Sequence, residues 1–183
     1  VDRRHASLAG CNRHRQPSDV RRCEPGDPVP ALEHHHIRAI SGVRDLVWVL
    51  DEKKDTLEHL FARASQFAAP LCEANHVRYS QCLEDGLYAY LLNREEKRNL
   101  YLIIKEAINN SIKYSGCRNI SLHAEAAKKK LRLTISDDGS GFDTGKVLKG
   151  QGLENILTRA EEIHYHAEFR SVPGQGTTLL LLK

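Results

Sequence analysis

The sequence is short of several things, and each shortage removes a class of reading. No apolar run approaches the ~20 residues that a bilayer-spanning helix requires, and no signal-peptide pattern opens the chain. Excess charge is missing too: 27 Lys and Arg against 24 Asp and Glu leave +3, too little for the basic footprint of a nucleic-acid binder. The longest basic run, Lys128-Lys129-Lys130, has no aromatic residues interleaved with it and reads as a solvated turn. No close pair among the five cysteines (Cys11, Cys23, Cys72, Cys82 and Cys117) has metal-site spacing. Their odd number predicts reduced thiols and a cytoplasmic setting. Methionine is absent and the chain starts at Val1, which reads as an internal segment of a longer protein.

What is present suits one domain plus a tail. Residues 1–36 are rich in Arg, His, Pro and Cys and carry no periodic apolar pattern. Pro25, Gly26, Pro28 and Pro30 exclude a regular helix there, so the segment reads as an irregular tail or linker. His34-His35-His36 reads as a linker or purification feature in preference to a metal site. Helical spacing begins around Ile37–Leu50, with Trp48 as a packing anchor. Asp55 or Thr56 is placed to cap a second helix toward Ala74, which Pro70 should kink or end. Val77–Leu83 alternates as a strand. Asn93–Tyr114 is the clearest helix, with Leu100, Ile103, Ile104, Ala107, Ile108, Ser111 and Ile112 along one stripe.

The period then changes. Asn119–Ala124 and Leu131–Ile135 alternate as strands, and a glycine-rich loop runs from Asp137 to Gly152. Leu153–Ile163 is helical, and Tyr165–Val172 with Thr177–Leu182 form a last hairpin across Pro173-Gly174-Gln175-Gly176. This order predicts an α/β two-layer sandwich: a mixed, mostly antiparallel sheet covered on one face by helices. No internal repeat is visible.

Two places concentrate chemistry. Glu106 and Asn110 stand four residues apart and share a helix face, with Lys113 three residues further. An amide oxygen is a hard ligand that Mg²⁺ accepts, a lysine offers charge to phosphate, and a carboxylate orients or deprotonates a nucleophile. Ser136-Asp137-Asp138-Gly139-Ser140-Gly141-Phe142 follows a strand. A carboxylate at that strand end accepts a hydrogen bond from an amine such as adenine N6, whereas guanine presents a carbonyl there. Gly139 and Gly141 permit close backbone approach. Gly150-Gln151-Gly152-Leu153 precedes a helix, whose first amides favour phosphate. Gly174-Gln175-Gly176-Thr177-Thr178 leads into the terminal strand. Each motif alone is modest; their order and spacing together are specific.

Together they resemble the ATPase superfamily shared by DNA gyrase, the heat-shock chaperone, histidine kinases and the mismatch-repair ATPase (the Bergerat fold), over about residues 37–183. Lys105–Tyr114 is similar to its N box, Asp137–Gly141 to its G1 box and Gly150–Leu153 to its G2 box. Gly152-Leu153-Glu154-Asn155 with Arg159-Ala160-Glu161-Glu162 resembles the sensor kinases paired with helix-turn-helix response regulators. The short interval from Gly141 to Gly150 implies a short ATP lid. Asp45-Leu46-Val47-Trp48 followed by Asp55-Thr56-Leu57 looks like the junction below a dimerisation helix. The resemblance therefore implies a tail over 1–36, a helix end and junction over 37–54, and an ATP-binding catalytic domain over 55–183.

By the same resemblance, ATP and Mg²⁺ are the cofactors. Asn110 holds Mg²⁺ and Asp137 takes the adenine amine. Gly139 and Gly141 line the base and hinge the lid. Lys113, Tyr114, Gly150, Gly152 and Leu153 meet the rest of the nucleotide, Thr177 supports Asp137, and Glu106 assists transfer. The implied partners are phosphoacceptor helices in a homodimeric parent kinase and a response regulator. The sequence departs from the family in one respect: no histidine is followed by an acidic residue in a helical phosphoacceptor context. Two other readings share the motifs, an anti-sigma-factor-type serine kinase and a nucleotide-dependent interaction module without activity in isolation.

Overall fold

The computed structural model describes residues 55–127, 130–144 and 151–183. The expected tail over 1–36, the helix carrying Trp48, the junction up to residue 54, Lys128-Lys129 and Gly150 lie outside the described residues.

Helix α1, Leu57–Ala74, starts at Thr56, whose side-chain oxygen accepts the His59 amide at 3.4 Å. Pro70 was expected to kink or end this helix; instead α1 continues past it to Ala74. The proline is exposed while Ala68 and Cys72 beside it are buried, so packing holds the last turn against the lost amide. Strand β1, Arg78–Leu83, follows. Helix α2, Arg94–Asn110, opens with a reciprocal cap: Asn93 accepts the Glu96 amide at 2.9 Å and Glu96 accepts the Asn93 amide at 3.0 Å. Where the apolar stripe predicted one helix through Tyr114, the backbone widens at Ser111–Ser115 into a π-helical turn, ending at Gly116. Strands β2, Asn119–Ala127, and β3, Lys130–Asp137, form a hairpin. Helix α3 spans Gln151–Glu162, two residues earlier at its start than its apolar pattern indicated. Strands β4, His166–Ser171, and β5, Thr177–Leu182, complete the sheet.

The sheet order is β1-β2-β3-β5-β4. Only β1 and β2 pair in parallel, because α2 crosses between them; the other neighbours are antiparallel. Alternation puts Ile120, Leu122, Ala124, Leu131, Leu133, Ile135, Leu179 and Leu181 on one buried face. Register aligns them across strands, as Leu122 opposite Ile135 and Ile135 opposite Leu179. Leu57, Leu60 and Ala64 of α1, Leu100, Ile103, Ile104 and Ile108 of α2, and Ile156 and Ala160 of α3 complete that core. Truncating a residue such as Leu100 to alanine would cost ~2–5 kcal/mol. The opposite face is polar, with Ser121 and Ser136 hydrogen-bonded at 2.8 Å and Arg132 paired with Glu125 at 2.7 Å. The expected two-layer α/β sandwich is the observed architecture.

Candidate nucleotide site

Where α2 ends, β3 ends and α3 begins, a cavity of about 560 Å³ opens. That lies within the ~300–1,000 Å³ range of small-molecule sites. Glu106, Asn110, Lys113, Tyr114, Asp137, Gly141, Gly152, Leu153 and Thr177 all line it. Two motifs that are separated in the chain by a whole β-hairpin thus share one cavity. Gly139 is the exception: it does not line the cavity but packs against Ser115, too close for a side chain. Gly150 lies outside the described residues.

The Asp137 end is built from strand termini and turns. Asp137 closes β3, and both its oxygens are engaged: Oδ2 accepts Ser111 Oγ at 2.7 Å and Oδ1 accepts the Gly139 amide at 2.9 Å. These two donors set the carboxylate plane while its remaining lone pairs stay available to a ligand. Thr177 stands directly opposite Asp137 in the β3–β5 register. Gly176 has φ +78, and a Cβ there would overlap the Asp137 carbonyl, so this position requires glycine. Further hydrogen bonds tie the loops together: Ser140 N to Ser115 O at 2.7 Å, Gly174 N to Ser140 O at 2.6 Å and Phe142 N to Ser171 Oγ at 2.8 Å. Phe142 and Phe169 meet at a tilt of 56° and form an apolar wall.

Adjacent aspartates do different work. Asp138 points away from the cavity: Oδ1 accepts the Arg118 and Asn119 amides, both at 2.8 Å, and Oδ2 accepts Asn119 Nδ2 at 2.6 Å. The Asn119 side chain and these amides hold its carboxyl below the usual carboxylate range. Asp138 therefore anchors the loop to β2, leaving Asp137 for the cavity.

Ser111 is the residue that sequence reasoning missed. It was placed in the apolar stripe, and it is indeed buried at 7% exposure, but its hydroxyl is spent on Asp137. The available signal was a hydroxyl inside an otherwise aliphatic stripe, since a buried polar group needs a partner. Its partner is supplied from another strand. At the π-helical turn Ser111–Ser115, Ser115 Oγ donates to the Ser111 carbonyl at 2.7 Å. Burial pushes the Cys117 thiol up, keeping it protonated as a weak donor to the same carbonyl at 3.8 Å. Ile156 and Leu179 also line the cavity and were not singled out in the sequence, and Asn155, quoted there only within the Gly152–Asn155 motif, lines it too.

The Asn110 end is built from two helices. A Cβ added to Gly152 would stand 2.6 Å from Glu106 Oε1 and 3.2 Å from Asn110 Nδ2. The first turn of α3 thus lies directly over these two polar side chains. Among the described residues no group of three His, Cys, Asp or Glu forms a metal cage. One amide oxygen at Asn110 with open space beside it suits Mg²⁺, which keeps most of its water and takes phosphate oxygens.

Comparison with known proteins agrees with this geometry. Residues 95–183 match the family described as histidine kinase-, DNA gyrase B-, and HSP90-like ATPase. An uncharacterized sensor-like histidine kinase of Chloroflexus aurantiacus is 35% identical over 89 residues, 45% of this chain and 15% of that protein. The sensor histidine kinase LiaS of Bacillus subtilis is 33% identical over 82 residues, 44% of this chain and 23% of that protein. The match therefore spans less than a quarter of either relative's length. Among solved structures, the ATP binding domain of PrrB from Mycobacterium tuberculosis superposes with a TM-score of 0.55 at 24% identity, covering 69% of this chain and 91% of that one. The histidine kinase domain from Erythrobacter litoralis EL346 gives 0.61 at 16% identity, covering 83% of each chain. The fold is that of histidine kinase ATP-binding domains. Fold, cavity and match converge on residues 95–183, the stretch that is similar to the histidine kinase-, DNA gyrase B- and HSP90-like ATPase family.

Proposed function

We propose that this chain carries the ATP-binding catalytic domain of a two-component sensor histidine kinase. It would transfer the γ-phosphoryl group of ATP to a histidine, for relay to an aspartate of a response regulator. One observation carries the reading: Asp137 and Asn110 line the same cavity, with Glu106 beside Asn110 and Gly152 over both. The names of the curated relatives support the kinase branch.

In this reading the ionised Asp137, oriented by Ser111 and Gly139, accepts the adenine amine, and Thr177 supports it from the facing strand. Asn110 holds Mg²⁺, which neutralises charge on the phosphates. Lys113 and Tyr114 flank the open side, and the Gly152–Leu153 backbone faces phosphate. Glu106 orients the attacking nucleophile or takes its proton. Phosphoryl transfer needs little more of a protein than positioning and charge neutralisation. The phosphoacceptor histidine belongs to the dimerisation helices of a homodimeric parent, of which this chain is the cytoplasmic catalytic portion. Among the described residues no helix is long and apolar enough to cross a membrane.

The test supplies the chain with ATP, Mg²⁺ and a separate histidine-bearing helix domain. The expected product is acid-labile phosphohistidine, and Asn110→Ala should abolish both the product and the Mg²⁺ dependence of ATP binding. Acid-stable phosphoserine on a partner protein would replace this reading with the serine kinase. Tight ATP binding without any transfer would leave a nucleotide-dependent interaction module.

A further inference from the structure

Helices α2 and α3 run antiparallel, and their far ends meet through a buried amide. At one end Gly152 sits over Glu106 and Asn110. At the other, Asn99 of α2 donates through Nδ2 to Glu162 Oε2 at 3.1 Å and accepts Arg159 Nη1 on Oδ1 at 3.3 Å. Asn99 is 6% exposed, whereas Glu162 is at the surface. None of the three lines the cavity. Helical rise puts Asn99 ~16 Å along α2 from Asn110.

On the α2 face that carries Asn99, Glu106 and Asn110, the buried residue between these ends is Ile103, and on α3 the buried residues are Ile156 and Ala160, all aliphatic. Such side chains hold two helices together but specify their sliding register weakly, because one aliphatic contact replaces another at little cost. An amide bonded on both sides to residues three apart on the partner helix does not tolerate a slide. Both bonds would break and a buried polar group would be stranded. A single buried amide in an apolar seam fixes register in coiled coils for the same reason.

We propose that Asn99 is a positioning residue: with Arg159 and Glu162 it locks the register of α3 on α2 and so holds Gly152 over Glu106 and Asn110. The inference rests on the nucleotide-site reading above. It acts on the Asn110 end of the cavity, since the Asp137 end is held by strand pairing and loop hydrogen bonds that involve neither α3 nor Asn99. The lock therefore governs the phosphates and not the base.

The experiment compares binding of adenosine with binding of Mg²⁺ and a non-hydrolysable ATP analogue, in the full chain, by calorimetry. Asn99→Leu should keep or raise the melting temperature. It should leave adenosine affinity within about twofold and weaken the triphosphate analogue about tenfold, the order of effect that a small displacement of positioned groups carries. Glu162→Ala, a surface change that preserves folding, should give the same selective loss at smaller size, and Glu162→Gln, which keeps an acceptor, should restore parental binding. Equal weakening of both ligands would make Asn99 a merely structural residue and overturn the proposal. Unchanged binding of both would overturn it as well. A parental chain that binds neither ligand would instead overturn the nucleotide reading, and the positioning role would fall with it.

Discussion

The two ends of the cavity are built by different means. At the Asp137 end, strand register and short turns converge, and the polar groups satisfy one another: Ser111 and Gly139 on Asp137, Ser140 on Ser115, Gly174 on Ser140. At the Asn110 end two helices face each other, and Glu106 and Asn110 meet Gly152 across a seam whose register is set three turns away. The glycines mirror the contrast. Gly176 is needed because a side chain would run into backbone that cannot move, whereas Gly152 leaves room beside the ends of two side chains that can. One end is a socket whose polar groups are tied together by hydrogen bonds. The other is a junction whose function depends on placement.

The largest test of the contrast removes the charge at the socket. Asp137→Asn should weaken ATP binding about 100-fold, the order expected for a lost charge-assisted hydrogen bond in a preformed site. Calorimetric titration measures it, and unchanged affinity would remove Asp137 from base recognition. Stability should barely move, since an asparagine oxygen still accepts from Ser111 or Gly139.

The glycines divide the two ends more sharply. Gly176→Ala places a side chain at φ +78 against the Asp137 carbonyl and should cost ~2 kcal/mol or more of stability, read as a lower unfolding midpoint in urea. Gly152→Ala meets only the Glu106 carboxylate end and the Asn110 amide, so it should stay within ~1 kcal/mol of parental stability. Its effect should appear in binding of the triphosphate. If the two substitutions destabilised equally, the distinction between socket and junction would be lost.

The smallest effect concerns the anchor of the loop. Folding lowers the Asp138 pKa through Asn119 and the neighbouring amides. Its contribution is therefore complete above the ordinary carboxylate value of ~4 and is lost as pH falls through the depressed folded value. Asp138→Asn should lower the melting temperature at pH 7 by about 2 °C, because the group is exposed and the loss modest. The gap from the parental chain should close as the solution is acidified through the depressed folded value. A gap independent of pH would show that the carboxylate's charge is not what secures the loop.

Much of this was legible because it is local. The cap at Asn93 and Glu96, the stripe from Leu100 to Ile108 and the strict alternation in β2 and β3 are written within single turns or strands. The order of the motifs likewise identified Glu106, Asn110 and Asp137 as residues to be brought together. The rest depends on partners supplied from elsewhere. Ser111 looks like an interruption in an apolar stripe until β3 delivers Asp137. Asp137 is preferred to Asp138 only by resemblance, and the physical ground for that choice, the Arg118 and Asn119 amides that claim Asp138, comes from outside the motif. Pro70 looks like a helix end until the packing of Cys72 outweighs it.

By itself, then, the amino-acid order determined which elements form and which chemistry they carry, because helical and extended periodicity and capping act over a few residues. Tertiary structure alone decided how those residues are used: what Asp138 is spent on, which glycine is irreplaceable and which buried amide holds two helices in step. Those outcomes follow from steric fit and hydrogen-bond satisfaction between distant segments, which no local pattern encodes.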